Sequence, residues 1–331
     1  MKDNFDALLI VSFGGPEGMD DVMPFLENVV RGRNVPRERL LGVAHHYQMF
    51  GGVSPINQQN RNLIAALAQE LQKNGPQLPI YWGNRNWHPF LADALREMAT
   101  DGIKNARAFV TSAYSSFSSC RQYQQNIAAA QSEVGPSAPR VEKLRAFYNH
   151  PLFIEANVDR IVRTGFKMLE AGAHLVFTAH SIPESMATKS DYAAQLEETA
   201  RLIAAELRHD NWNVVYQSRS GSPSQPWLGP DICDYVKELK AKGVTDVVVA
   251  PIGFVSDHME VVYDLDVELR RLVDELGGMN LVRAATAGTH PSFVKMIREL
   301  ILERVDNAPA RFLGSRGVPH FICPADCCLP G

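Results

Sequence analysis

Short apolar runs rich in branched and aromatic residues alternate along the chain with longer stretches whose apolar positions fall three and four residues apart. The runs at Ala7–Phe13, Leu78–Trp82, Ala106–Ala113, Leu175–Ala179, Trp212–Gln217, Asp246–Ile252 and Leu281–Ala287 predict β-strands. Asn60–Leu71, Phe153–Leu169, Tyr192–Leu207 and Phe293–Val305 predict amphipathic helices lying on them. Strands separated by helices pair in parallel, so the pattern predicts an α/β fold. The stretch from Ala7 to Met19 recurs from His174 to Met186, pairing Phe13 with His180, Pro16 with Pro183, Glu17 with Glu184 and Met19 with Met186. Two similar halves are expected, with a linker at Gly135–Pro139 and domains over 1–150 and 151–306. The tail, 307–331, is rich in proline and glycine and lacks a helical period, so something other than burial must hold it.

Composition narrows the partners. A chain of 331 residues suits two domains. Lys plus Arg number 33 and Asp plus Glu 37, a net charge of -4 without a basic run, which argues against phosphate neutralisation and so against nucleic acid. A small substrate is expected instead. No apolar window approaches the roughly 18 residues of a membrane span, and the N-terminal run is too short for a secretory signal. A cytoplasmic protein with at most transient membrane-surface contact follows. In a reducing compartment the five cysteines point to metal binding or reactivity rather than a disulfide framework, with a Cys327–Cys328 disulfide as the plain alternative.

The candidate chemistry gathers after two strands. His180 ends the fourth run and is followed by Ser-Ile-Pro, a strand end where ligands of open α/β sheets collect. After the sixth run, a helix starting near His258 would align Glu260, Asp264 and Glu268 on one face, ~6 Å apart at a ~1.5 Å rise per residue. Asp257 is expected to cap that helix and His258 to hydrogen-bond nearby; a solvated face with Arg271 pairing Glu268 is the plain alternative. No HExxH or paired-histidine spacing exists, so an imidazole and a carboxylate facing one another suit a cation in transit better than a resident zinc. The Gly14-Gly15 pair does not complete a dinucleotide fingerprint. Arg31, Arg33 and Gly51–Asn57 offer loop donors to carboxylates, and Pro226–Pro230 is expected to be a rigid wall. Cys323, Cys327 and Cys328 supply three thiolates; the fourth is Cys120 or Cys233, and the set suits an iron–sulfur cluster or zinc. A haem-binding redox sensor without turnover would use the same residues.

Several stretches together resemble the ferrochelatases: Ser-Phe-Gly-Gly-Pro-Glu, Gly-Gly-Val-Ser-Pro-Ile-Asn, Thr-Ala-His-Ser-Ile-Pro, Pro-Trp-Leu-Gly-Pro and Ser-Asp-His-Met-Glu. The resemblance spans nearly the whole chain. It implies two Rossmann-like domains with parallel four-stranded sheets and an active-site cleft between them, and a lyase of haem biosynthesis that inserts Fe²⁺ into a porphyrin. It places His180 and Glu260 as the catalytic pair that handles iron and protons, with a histidine of pKa near the operating pH, and Asp264 and Glu268 on the path behind them. Phe13, Arg31, Ser54 and Tyr123 are implied to bind porphyrin. Cys120, Cys323, Cys327 and Cys328 are implied to hold a 2Fe–2S cluster that fastens the tail to the first domain, leaving Cys233 a buried structural thiol. Rim candidates Arg31, Arg33, His45, His46, Ser54 and Tyr123 are polar, which favours four-propionate coproporphyrin III over protoporphyrin IX. Phe13 stands where some coproporphyrin-using relatives have tyrosine. Porphyrin, ferrous iron and neighbouring enzymes of haem synthesis are the expected partners.

Overall fold

Eight strands form two four-stranded parallel sheets in the computed structural model, which describes residues 5–331 apart from Asn34, Pro223 and Ala325. The first sheet comprises β1 (Ala7–Ser12), β2 (Ile80–Asn84), β3 (Asn105–Val110) and β4 (Arg140–Lys143), in the order β2-β1-β3-β4. The second comprises β5 (His174–His180), β6 (Trp212–Gln217), β7 (Asp246–Ala250) and β8 (Asn280–Arg283), in the order β6-β5-β7-β8. The two orders are the same once the second half is laid on the first, so the repeat seen in the sequence is a repeat of topology. Every residue of β1 is buried, as is all of β5 save its last, the pattern of a parallel strand covered on both faces. Leu9, Val11, Leu95 and Ile127 lie in the core of the first half; Val176, Val215, Val249 and Leu265 lie in that of the second.

β4 was not expected from the sequence. Its Arg-Val-Glu-Lys is a polar edge strand, and charge on an edge protects it from foreign pairing while hiding it from a search for apolar runs. The proposed linker at Gly135–Pro139 lies inside the first unit and leads into its sheet: Gly135–Ser137 makes a short 3-10 turn and β4 follows it, pairing in parallel with β3. Helices at Val22–Val29, Arg37–Gln48 and Leu91–Thr100 were likewise not anticipated, whereas the helix expected around Cys233 is present as Ile232–Ala241.

Contacts divide the chain into two units, one holding residues up to Thr111 with Tyr123–Leu144 and Ile297–Ala308, the other holding Ser112–Gln122, Arg145–Met296 and Pro309–Gly331. The final helix of the expected second domain, Pro291–Val305, is thus divided, its residues from Ile297 grouping with the first unit, and the tail groups with the second. Cys120 goes with it, although it precedes residue 150. Hydrogen bonds hold the tail, as its lack of apolar pattern requires. Leu313 N donates to Asn149 O (2.9 Å), Asn149 Nδ2 donates to Gly317 O (2.8 Å), Arg145 donates to Arg311 O (2.9 Å) and Arg316 pairs with Asp191 (2.9 Å). Among the described residues no helix is long and apolar enough to cross a membrane.

Candidate active site

His180 is the last residue of β5, where the strand passes out of the core, and its side chain is 31% exposed. Gly253 lies against this strand; a Cβ there would come within 2.5 Å of Ala179 Cα, so only glycine lets the loop after β7 pass so close. Tyr192 Oη donates to His180 O (2.9 Å), and His180 Nδ1 bonds to Ser181 O, which leaves Nε2 as the ring atom directed outward. Nε2 lies 3.5 Å from Glu260 Oε1.

The loop after β7 delivers Glu260 differently from the sequence expectation. His258, not Asp257, caps the helix: its backbone is extended and its Nδ1 accepts from Glu260 N (3.2 Å). Asp257 is instead engaged by Arg283 (2.8 Å), which also pairs with Asp266 (2.6 Å). One α-helical turn, Met259–Val261, leads into a π-helix over Val262–Glu268 and only then into the α-helix Leu269–Leu276. The i→i+5 bonding of a π-turn widens the spiral and keeps positions four to five apart on one face, so Glu260, Asp264 and Glu268 remain aligned. Such turns recur at functional sites because the extra residue per turn is costly without a use. Arg271 pairs with Glu275 (2.8 Å) rather than with Glu268.

The electrostatics of this face are strongly coupled. Burial would lower the His180 pKa, but the charge and hydrogen bond of Glu260, the Ser181 carbonyl and the charge of Asp264 outweigh it and hold the imidazole at about 9. Burial would raise Glu260, and the opposing charge and hydrogen bond of His180 bring it down to about 2. The resting pair at neutral pH is therefore imidazolium and carboxylate, which corrects the expectation of a histidine poised near the operating pH. Asp264 takes that position instead. Burial pushes it up, Glu260 and Glu268 add to the rise, and a hydrogen bond from Ser218 offsets part of it, leaving about 7. Glu268 is raised by burial and by the charge of Asp231.

Beside this line, Trp227 borders a cavity of about 300 Å³ with Ser181, Tyr216, Arg219, Asp231 and Asp234. The expectation that Pro226–Pro230 forms a wall thus holds for its tryptophan.

In the other unit, Phe13 follows β1 and Tyr123 begins the helix Gln122–Val134. Sequence reasoning missed the residue that joins them. Arg85 lies with its guanidinium carbon 4.6 Å from the Tyr123 ring centre and 5.6 Å from that of Phe13. The expected strand end at Trp82 stopped two residues short of Asn84; carried to the observed end, the strand-end rule that found His180 would also have found Arg85. Arg31 is exposed and donates to Asn28, whose amide donates to Asn86 O (3.3 Å), so it connects to the Arg85 loop through one intermediate. Ser54 is buried, at 4% exposure, with its backbone N donating to Pro16 O (2.8 Å) and its Cβ tight under Gly15. Tyr123 is buried too. Of the rim candidates, Arg31, Arg33 and His45 are exposed and His46 is half-buried.

The cysteines are all free, so Cys327 and Cys328 do not form a disulfide; their sulfurs stand 3.5 Å apart. Cys120 sits in a π-turn, Phe117–Arg121, capped by Ser116, and its sulfur lies 4.0 Å from that of Cys323. Arg121 donates to Cys327 O (2.8 Å), and hydrogen bonding with Cys120, ahead of burial, raises the Cys328 thiol. Four thiols thus adjoin one another as two pairs. Tetrahedral sites with about 2.3 Å metal–sulfur bonds hold their sulfurs about 3.8 Å apart, and both pairs lie near that value. Cys233 is elsewhere, in the first turn of Ile232–Ala241, its backbone N donating to Asp231 and its thiol pushed up to about 12 by burial and the Asp231 charge. Among the described residues no three His, Cys, Asp or Glu side chains are gathered as ligands for a single metal ion.

Sirohydrochlorin chelatase SirB from Bacillus subtilis subspecies spizizenii superposes over 92% of this chain and 97% of its own at a TM-score of 0.54 with 12% identity, a likeness of fold alone. A protein named ferrochelatase from Rhodopirellula baltica is 55% identical across 98% of this chain and 93% of its own. One named coproporphyrin III ferrochelatase from Streptomyces coelicolor is 49% identical across the same shares. The ferrochelatase family model matches residues 5–305, and with relatives of this similarity the chain belongs to the ferrochelatase family.

Proposed function

We propose that this chain inserts ferrous iron into coproporphyrin III, releasing the two pyrrole protons. The observation that carries the reading is the His180–Glu260 pair at the end of β5, backed by Asp264 on a π-turn. Metalation requires two protons to leave a neutral macrocycle as a dication enters, so the site needs acceptors and a line of oxygen donors close together. Glu260 is ionised and available to the cation. Once Fe²⁺ engages that carboxylate, the charge that held His180 protonated is shared, its pKa falls, and the imidazole passes its proton to the Asp264 carboxylate and becomes an acceptor for a pyrrole proton. Asp264, near neutrality, is the group best matched to relay the released protons.

Relatives named coproporphyrin III ferrochelatase, 46–50% identical over almost the entire chain, support that porphyrin, as does the exposed polar rim of Arg31, Arg33 and His45. Phe13, Arg31, Ser54 and Tyr123 remain our assignment for porphyrin contacts, to which Arg85 is added; burial of Ser54 and Tyr123 makes them supports of the surface more than parts of its edge.

Cys120, Cys323, Cys327 and Cys328 are the residues that would hold an iron–sulfur cluster of the 2Fe–2S type, and the spacing of their two sulfur pairs suits tetrahedral thiolate ligation of iron or of zinc alike. When bound, such a cluster supplies one-electron redox chemistry. The protein side of that arrangement is mechanical: the four thiols join the Ser112–Gln122 segment to the tail.

Anaerobic mixing of the protein with Fe²⁺ and metal-free porphyrins tests the whole reading. Multiple turnovers in the porphyrin absorption spectrum are expected, with higher kcat/KM for coproporphyrin III than for protoporphyrin IX. Stoichiometric binding without metalation would instead mark a haem-binding sensor.

A further inference from the structure

We infer that Gln217 is a positioning residue for iron handling, fixing the Asp264 carboxylate and the first turn of the acidic helix against the strand that carries His180. The inference rests on the ferrochelatase reading above and deepens it. Gln217 ends β6 and is the register partner of His180 in β5, where its carbonyl accepts from Ser181 N (2.8 Å). Its side chain is 99% removed from solvent and crosses to the π-turn: Nε2 donates to Glu260 O (3.0 Å) and, at 3.4 Å, to Asp264 Oδ2. Ser218 adds a second donor to that oxygen, its backbone turned into the left-handed region at a φ of 60°.

What distinguishes this from ordinary core packing is the other half of the amide. Gln217 Oε1 is buried and meets no donor among the described residues. An unpaired buried acceptor is a standing cost that offsets much of what the Nε2 bonds contribute, and a leucine of similar volume would fill the same space without it. A buried polar group that stability alone would remove is expected where a site needs it. Here the need is directional. The amide orients Asp264 without adding charge, whereas a lysine or arginine would neutralise the carboxylate and repel an approaching dication, and a glutamate would push Asp264 away. A neutral donor locked to the His180 strand keeps imidazole, Glu260 and Asp264 in one register.

The test is a double-mutant cycle in anaerobic steady-state assays, varying Fe²⁺ and porphyrin separately for wild type, Gln217→Leu, Asp264→Asn and the double variant. Gln217→Leu is expected to raise the KM for Fe²⁺ about tenfold and keep the KM for porphyrin within about twofold, with at most a modest fall in Tm, because loss of the two donated bonds is partly offset by removal of the unpaired Oε1. In the Asp264→Asn background the same change should move the Fe²⁺ KM less than about twofold, because the group it acts through is gone. An Fe²⁺ KM within about twofold of wild type for Gln217→Leu, or equal factors in both backgrounds, would overturn the inference. Should Gln217→Leu fail to fold, Ser218→Ala removes the second donor to the same oxygen from a less buried position. A several-fold rise in its Fe²⁺ KM is expected, and no change would count against the inference. A wild-type protein without turnover sinks the functional reading and this one with it; turnover with an indifferent Gln217 sinks this one alone.

Discussion

His180 Nε2 and Glu260 Oε1 stand 3.5 Å apart, and each sets the protonation state of the other. His180 is raised from 6.5 to about 9 and Glu260 lowered from 4.5 to about 2. The histidine's contribution to stability is complete below pH 6.5 and disappears as pH rises through about 9; that of the glutamate is complete above pH 4.5 and disappears as pH falls toward about 2. Both side chains are partly open to water, which screens the pair and keeps its energetic worth small. The titration itself is the sharper observable. In NMR the His180 ring should titrate near pH 9, and in Glu260→Gln at 6.5 or below, since burial then acts with less opposition. An unmoved titration would show that the carboxylate is not the partner.

Asp264, at about 7, should give the lower limb of the pH–rate profile. Its raised pKa means that it ionises only as pH climbs through neutrality, so kcat/KM for Fe²⁺ should rise across that range. In Asp264→Asn the limb should vanish while the remaining activity becomes flat with pH near neutrality. A limb that survives the substitution belongs to another group.

Replacing His180 by alanine should lower kcat by about 10²–10⁴-fold, the usual contribution of a positioned acid–base group. Porphyrin affinity and Tm should barely change at neutral pH, because the ring is partly exposed and its ion pair is screened by water. Activity above about a tenth of wild type would remove His180 from its assigned role.

The four grouped thiols make a separate forecast. Serine at Cys120, Cys323, Cys327 or Cys328 should abolish visible iron–sulfur absorption and expose the tail to protease, while Cys233→Ser should retain both colour and resistance. Cys233 packs beside the second core, in the first turn of Ile232–Ala241, and the sulfur contacts that group the other four thiols do not include it. A colourless wild-type protein that carries zinc after anaerobic purification would redirect the assignment to that metal.

The parts of this molecule that announce themselves in sequence are those with a local period. Buried parallel strands read as continuous apolar runs, and His180 stood at the end of one, so the strand and the residue were found together. β4 escaped because an edge strand of Arg-Val-Glu-Lys has no apolar face to show. The alignment of Glu260, Asp264 and Glu268 was legible, but its π-turn was not, since the inserted residue is set by packing and not by spacing. Protonation states were misjudged for a similar reason: the pKa of His180 depends on a carboxylate 80 residues away, and only the fold brings the two together. Cys120 was one of two open choices until three-dimensional proximity separated it from Cys233.

Arg85 offers the final test, because its geometry singles out a residue that lies just past the expected strand end. A guanidinium 4.6 Å from one aromatic ring and 5.6 Å from another is half-buried against both, a condition in which cation–π attraction is worth up to about 2 kcal/mol. Such a cation, presented beside Phe13 and Tyr123, suits an anionic, planar ligand better than a free metal ion, which it would repel. Arg85→Leu should therefore raise the porphyrin Kd about tenfold or more, measured by fluorescence quenching without iron, with little change in the Fe²⁺ KM. Arg85→Lys should fall between the two, because an ammonium keeps the charge but loses the planar stacking. Arg31→Ala, at an exposed residue that donates to Asn28, should weaken coproporphyrin III more than protoporphyrin IX, since the former has two further carboxylates to anchor. Equal losses for both porphyrins in Arg31→Ala would separate Arg31 from selectivity, and an unchanged porphyrin Kd in Arg85→Leu would confine Arg85 to holding the two rings in place.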